Sequence, residues 1–174
     1  MEVSEALALI QKIIEEHRIY LAGLQNIEQT ANDAMVIKGL EMSKGVFVPG
    51  RLDQNQGLQK LGEMMKSVAI GLRAHFNREE TALPGVVAQY GTEEMSATLR
   101  SILLEHEDLR NRIAQAEKHV AELTGGGLSR NVWDATANDM RAHIAHTRKL
   151  IEAHAIIEQE LLHGLEKMLK SAKA

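Results

Sequence analysis

Apolar residues recur every three to four positions along four long stretches of the chain, the period of an α-helix that buries one face. The first stripe, Ile10, Ile13, Ile14, Leu21, Leu24 and Ile27, predicts a helix with Ser4 as its N-cap. It continues to about Gly45, with a weaker section over Thr30 to Met35. Val46 to Leu52 reads as a loop around Pro49-Gly50. A second helix is expected from about Asp53 to Leu83, with Leu61, Met65, Val68 and Leu72 inward. Pro84-Gly85 is expected to stop it, leaving a short helical tail before Gly91. A third starts after Thr92, carries Leu99, Ile102, Leu103, Leu109, Ile113 and Val120, and ends at Gly125-Gly126-Gly127. A fourth starts near Ser129 and carries Trp133, Met140, Ile144, Leu150, Ile151, Leu161, Leu165 and Met168. Short connections favour antiparallel neighbours. The predicted fold is therefore all-α, an up-down-up-down antiparallel four-helix bundle forming one domain over residues 1–174.

Composition agrees. Aromatic residues make up 3% of the chain and there are two prolines, while alternating β-branched runs are missing. With 174 residues, 44% hydrophobic and 25% charged, the chain can bury a sizeable core. The formal charge is −4, so there is no basic stripe to neutralise phosphates and no nucleic-acid partner is expected. No apolar run is long enough to span a membrane, and the start Met-Glu-Val-Ser-Glu is acidic rather than signal-like; a cytoplasmic location is expected. The absence of cysteine excludes disulfides, thiolate zinc or iron–sulfur ligation and a cysteine nucleophile.

Each stripe also contains a histidine. His17 is in phase with Ile10, Ile13, Leu21 and Leu24, and His106 with Leu99, Ile102, Leu109 and Ile113. His75-Phe76-Asn77-Arg78-Glu79 and His154-Ala155-Ile156-Ile157-Glu158 repeat one pattern, His-x-x-x-Glu. Residues four apart lie on one helical face, so each pair offers an imidazole nitrogen and a carboxylate to one point. Counted from the helix ends that share one end of the bundle, these histidines lie at depths of about 14–26 Å. Six side chains from four helices can thus meet in one layer: His17, His75, Glu79, His106, His154 and Glu158.

One histidine on an apolar stripe is ordinarily a hydrogen-bonded core residue, and one His-x-x-x-Glu an ordinary ion pair. Burying Glu79 and Glu158 together is costly without a cation. Two carboxylates that bridge and four imidazoles divided two per ion give each of two metals about four ligands. A dinuclear non-haem iron centre is the natural occupant, with dimanganese or dizinc loading also compatible. The ferritin-like Glu-x-x-His pattern occurs only at Glu160 to His163, and the zinc-protease His-Glu-x-x-His is absent. His119, His146 and His163 fall off the inward faces, while His143 is in phase with His154 but about 16 Å along the axis.

The strings Ile-Ile-Glu-Glu-His17, His75-Phe-Asn-Arg-Glu79-Glu-Thr-Ala-Leu-Pro84, Leu-Glu-His106-Glu-Asp-Leu-Arg and His154-Ala-Ile-Ile-Glu158 resemble the hemerythrin-like (HHE cation-binding) family over about residues 5–168. The resemblance implies an oxo- or hydroxo-bridged di-iron site with Glu79 and Glu158 as bridging carboxylates. It implies a small ligand such as O₂ or NO, and roles in sensing O₂, NO or peroxide, iron handling or iron–sulfur cluster repair. Oxygen-carrying hemerythrins place His-x-x-x-His on the third helix, whereas Arg110 stands four residues after His106 here. Cluster-repair relatives carry an additional histidine before the helix 2 motif and often a cysteine-bearing domain; this chain has neither feature. More open positions favour redox chemistry, or a further ligand such as Tyr20, over reversible O₂ storage. Gly71, one turn before His75, is expected to leave space for a diatomic ligand. No residue pattern here argues for catalytic turnover. The other readings are a signalling bundle like a histidine phosphotransfer domain, with His119 or His163 as the exposed histidine that carries phosphate, or a structural bundle that uses metal only for stability.

Overall fold

The computed structural model describes residues 1–33, 56–125 and 127–173. Among these, four helices follow in order: α1 Val3–Asn32, α2 Gln56–Tyr90, α3 Glu93–Thr124 and α4 Arg130–Lys173. Each packs against its neighbours in the chain, and α1 closes the ring against α4, which makes the antiparallel four-helix bundle that the stripes foretell.

The helix ends differ from the expectations in instructive ways. Ser4 lies inside α1, not at its cap; Glu2 is the N-cap, and its backbone N–H donates to the Glu5 carboxylate at 3.0 Å. α1 closes at Asn32, where Asp33 turns to extended backbone, rather than running to Gly45. The remainder of that stretch, the loop at Val46 to Leu52 and the helix start at Asp53 lie outside the described residues. Pro84 does not stop α2. The helix carries it internally and continues to Tyr90. Proline there removes one backbone hydrogen bond, at a cost of about 3 kcal/mol in an isolated helix. Leu83, Val86 and Val87, all buried on the core side of the same turn, offset it. The break falls instead at Gly91-Thr92, where the Thr92 hydroxyl accepts from Met95 N–H at 3.2 Å to cap α3. At the other end of the bundle the turn after α3 uses Gly127 at φ 81°, a conformation that glycine adopts without strain. Trp133 then donates its indole N–H to the Leu123 carbonyl at 3.1 Å, tying the start of α4 to the end of α3.

The inward faces match the stripes, with one slip. Met168 points outward, and Leu169 is the buried residue of that last turn of α4. The core divides into three apolar layers. One, at the end where α1 begins, contains Ile10, Ile13, Leu83, Leu99, Ile102, Leu161 and Leu165. A central one contains Tyr20, Leu24, Leu72, Phe76, Leu109, Ile113 and Ile151. The far one contains Ile27, Leu61, Met65, Val120, Trp133 and Met140. Between the first and the second lies a polar stratum.

Candidate metal centre

The polar stratum consists of the six side chains singled out from the sequence. His17, His75, Glu79, His106, His154 and Glu158 are all buried, none more than 2% exposed. α2 running on past Pro84 brings His75 to the depth of His17 and His106. His17 is 14 residues past Val3, His106 is 13 past Glu93 and His75 is 15 before Tyr90, all about 20–23 Å from the same end.

All four imidazoles turn Nε2 inward. His17 Nε2 donates to Glu158 Oε2 at 3.0 Å and lies 3.8 Å from Glu79 Oε1. His75 Nε2 is in close contact with Glu79 Oε1, and His106 Nε2 is 3.2 Å from Glu79 Oε2. His154 Nε2 is 3.8 Å from Glu158 Oε2. Two groups of ligand atoms result. Those of His17, His75, Glu79 and Glu158 lie within 4.8 Å of one another, and so do those of Glu79, His106 and His154. Glu79 belongs to both.

Electrostatics describes a site short of positive charge. Burial opposes the charged form of His17, yet the hydrogen bond to Glu158 and the nearby charges of Glu158 and Glu79 outweigh it and raise its pKa from 6.5 to about 9. Burial pushes Glu79 up, but His106, His17 and His75 around it hold its pKa well below the usual carboxylate range. Glu158 goes the other way, raised by burial and by the neighbouring Glu79 charge against the pull of His17. His106 is raised, Glu79 and Glu80 outweighing its burial, and His154 is lowered, chiefly by burial.

Protein groups do not satisfy this stratum. His75 Nε2, both oxygens of Glu79, His106 Nε2, His154 Nε2 and Glu158 Oε1 are buried without a hydrogen-bond partner. Buried polar atoms are nearly always paired, and each orphan costs about 1–3 kcal/mol. Here the orphans converge on one volume, with nitrogen and carboxylate donors of the kind that divalent metals accept. The residues fit a metal pair.

A second circle of carboxylates lies outside the first, and the sequence reading missed it. Glu16 of α1 accepts from His75 Nδ1 of α2 at 3.0 Å, and Glu80 of α2 from His106 Nδ1 of α3 at 2.9 Å. Glu105 of α3 accepts from His154 Nδ1 of α4 at 2.8 Å. The first three helices each hand a carboxylate to the histidine of the next. This fixes the Nδ1–H tautomer and leaves the Nε2 lone pair facing the centre. The signal was present in the sequence: Glu16, Glu80 and Glu105 each adjoin a ligand-type residue, at His17, Glu79 and His106. The circle opens between α4 and α1, where Gln159 follows Glu158 and His17 Nδ1 is buried without a partner.

Arginines hold two of these carboxylates. Arg78 donates to Glu16 at 2.7 Å, and Arg110 grips both oxygens of Glu80 at 2.7 and 2.8 Å. Arg110 also lies over the Phe76 ring, 5.5 Å from its centroid, and Phe76 stacks on His106 at 4.4 Å.

The other candidates separate cleanly. Tyr20 is buried, with its ring 5.4 Å from that of His17 and 4.8 Å from that of His75, and its hydroxyl has no partner. Gly71 faces outward, and a Cβ there meets nothing within 4 Å, so it leaves no space at the centre. His146, His163 and Glu160 are exposed. His143 is half-buried towards the far end, donating to the Arg112 carbonyl at 2.9 Å and packing its ring against His119 at 5.6 Å.

Among the described residues no helix is long and apolar enough to cross a membrane. Comparison with curated proteins and with solved structures gave no match. The sequence profile of the hemerythrin HHE cation-binding domain matches residues 8–155, a span that holds five of the six centre residues and stops short of Glu158. The match covers most of the chain and accompanies a buried His/Glu cluster that suggests metal binding, so the chain belongs to the hemerythrin HHE cation-binding family.

Proposed function

We propose that the chain holds two metal ions, iron in the first place, and reacts with or senses O₂, NO or peroxide, in the service of iron handling or iron–sulfur cluster repair. The observation that carries this reading is the convergence of unsatisfied inward donor atoms on two groups that share Glu79. His17, His75, Glu79 and Glu158 would hold one ion; Glu79, His106 and His154 would hold the other. Iron bound there supplies redox chemistry and open positions for a small ligand. The chain's own contribution is to orient four imidazoles, supply shared negative charge and exclude bulk water between two apolar layers. Manganese and zinc suit the same donors.

Elemental analysis after anaerobic reconstitution with Fe²⁺, together with a visible spectrum before and after O₂ or NO, tests the proposal. About two ions per chain and a spectrum that responds to the gas are the expected result. Protein that retains no iron overturns it. Retained iron that raises thermal stability without any response to O₂, NO or peroxide leaves a structural metal in its place.

A further inference from the structure

We propose that the chain carries a further metal site, separate from the centre. It is a mononuclear position for a divalent ion of the zinc class, built by His119 and Glu122 of α3 and His143 of α4 on the seam between those helices.

The place is remote from the centre. His119 lies 13 residues past His106 and His143 lies 11 before His154, about 20 and 16 Å along their helices. An ion there shares no ligand with the six buried residues, so the proposal does not rest on what the centre holds.

Antiparallel packing sets the two imidazoles opposite each other. Their rings meet edge to face with centroids 5.6 Å apart, and both are half-buried. Such a pair is ordinarily interface packing, with its nitrogens satisfied by neighbours. Here only one nitrogen of each ring is. His143 donates from Nε2 to the Arg112 carbonyl at 2.9 Å. A carbonyl only accepts, so the proton of the neutral ring sits on Nε2 and Nδ1 keeps its lone pair. The described contacts give that Nδ1 no partner.

His119 shows the same division. Its Nε2 lies 3.2 Å from the Gln115 amide nitrogen, while its Nδ1 is buried without a hydrogen-bond partner. The two ends of an amide have the same shape. Gln115 turned over presents its oxygen, accepts from Nε2–H and leaves the Nδ1 lone pair for an ion. Each ring thus has an outer partner on Nε2 and an Nδ1 left over, the arrangement that orients histidine ligands. The centre uses the same device with the two nitrogens exchanged.

Glu122 supplies the charge. It follows His119 by three residues on the same face, and its carboxylate lies 4.0 Å from His119 Nδ1. Its other contact is an exposed pairing with Lys118 at 3.7 Å, which costs little to give up. Two imidazoles and one carboxylate, with the remaining positions open to water, suit Zn²⁺ and its neighbours in the series rather than Mg²⁺ or Ca²⁺. The donors are gathered less tightly than those of the centre, which among the described residues alone brings three or more within 4.8 Å of one another. Glu122, 42% exposed, has room to turn towards the pair. The seam position is therefore weaker than the centre and fills after it.

Titration of the metal-free protein with Zn²⁺, followed through the imidazole ¹⁵N resonances and by ion count, tests the site. Zn²⁺ is expected to shift the Nδ1 resonances of His119 and His143, and His143→Gln is expected to bind one ion fewer per chain than the parent. Glu122→Gln keeps the shape of an exposed side chain and removes its charge. It is expected to weaken the seam ion by at least about tenfold, the lower end of what loss of even an outer partner does. Resonances of His119 and His143 that stay unmoved at millimolar Zn²⁺ overturn the proposal. So does an equal ion count in the parent and His143→Gln, or an affinity that Glu122→Gln leaves unchanged. If His143→Gln fails to fold, the parent resonances and Glu122→Gln decide. A seam pair that shifts while His17, His75, His106 and His154 do not would remove the function proposed above and uphold this site.

Discussion

Glu16 stands next to His17 in the chain, yet its carboxylate serves His75 on the adjacent helix, 3.0 Å from Nδ1. The arrangement divides labour between neighbouring residues: His17 faces the centre while Glu16 fixes a ligand across the helix interface. Glu16→Ala is expected to lower metal affinity by about 10–100-fold while the bundle stays folded. Competition with a chromophoric chelator measures the affinity, and circular dichroism the fold. An unchanged affinity would show that His75 needs no outer partner.

Arg110 occupies the place where oxygen-carrying hemerythrins carry another imidazole, and the structure gives it a different task. It makes two hydrogen bonds to Glu80 and covers Phe76. Arg110→Ala is expected to cost about 1–2 kcal/mol, less than two buried charged hydrogen bonds would, because the side chain is one-third exposed. Arg110→Lys is expected to recover only part, since a single ammonium does not match both carboxylate oxygens. Urea denaturation of the metal-free variants provides the comparison.

The six inward residues were legible because one repeat, four residues on a helix, places imidazole and carboxylate on one face, and the apolar stripe says which face is buried. Their common depth was blurred by Pro84. Local propensity says stop there, and burial of Leu83, Val86 and Val87 overrides it. The outer carboxylates left only a faint mark, their adjacency to His17, Glu79 and His106, and their partners were not legible. Glu16 and Glu105 lie at the edges of interfaces among many surface glutamates, and only the rotation of each helix against the next shows which imidazole they meet. Gly71 misled for a related reason: one turn before His75 is near it along the axis, but the residue faces outward. Nothing in the sequence alone marked the missing partner of His17, since that gap appears only once the other three are placed.

Acid and alkali are both expected to weaken the metal-free protein, each through a different buried group. The His17 pKa is raised to about 9 in the fold from 6.5. Its contribution is therefore fully present below pH 6.5 and is lost as pH rises through about 9. Glu79, lowered, contributes above its ordinary 4.5 and loses that contribution on acidification. Metal-free stability is thus expected to fall between about pH 6.5 and 9, while metal affinity climbs over the same window because His17 must shed its proton to bind. Denaturant midpoints with and without Zn²⁺ across this range check both slopes. A metal-free stability that rises towards pH 9 would contradict the assignment of the raised pKa to His17.

Tyr20 brings a hydroxyl into a buried position beside His17 and His75 and finds nothing there to bond. Burial, followed by the charges of Glu158, Glu79 and Glu16, pushes its pKa upward, so the metal-free protein keeps the phenol neutral. Removing a buried polar atom that lacks a partner relieves a desolvation cost, and the ring of phenylalanine fills the same space. Tyr20→Phe is therefore expected to leave metal-free stability unchanged or raise it by up to about 1 kcal/mol. In the metal-loaded protein the same substitution separates two roles for the residue. An unaltered visible spectrum makes Tyr20 a packing neighbour of His17 and His75, and loss of an absorption band makes its oxygen a participant at the centre. A destabilisation of more than about 1 kcal/mol in the metal-free form would mean that the hydroxyl has a buried water or another acceptor holding it.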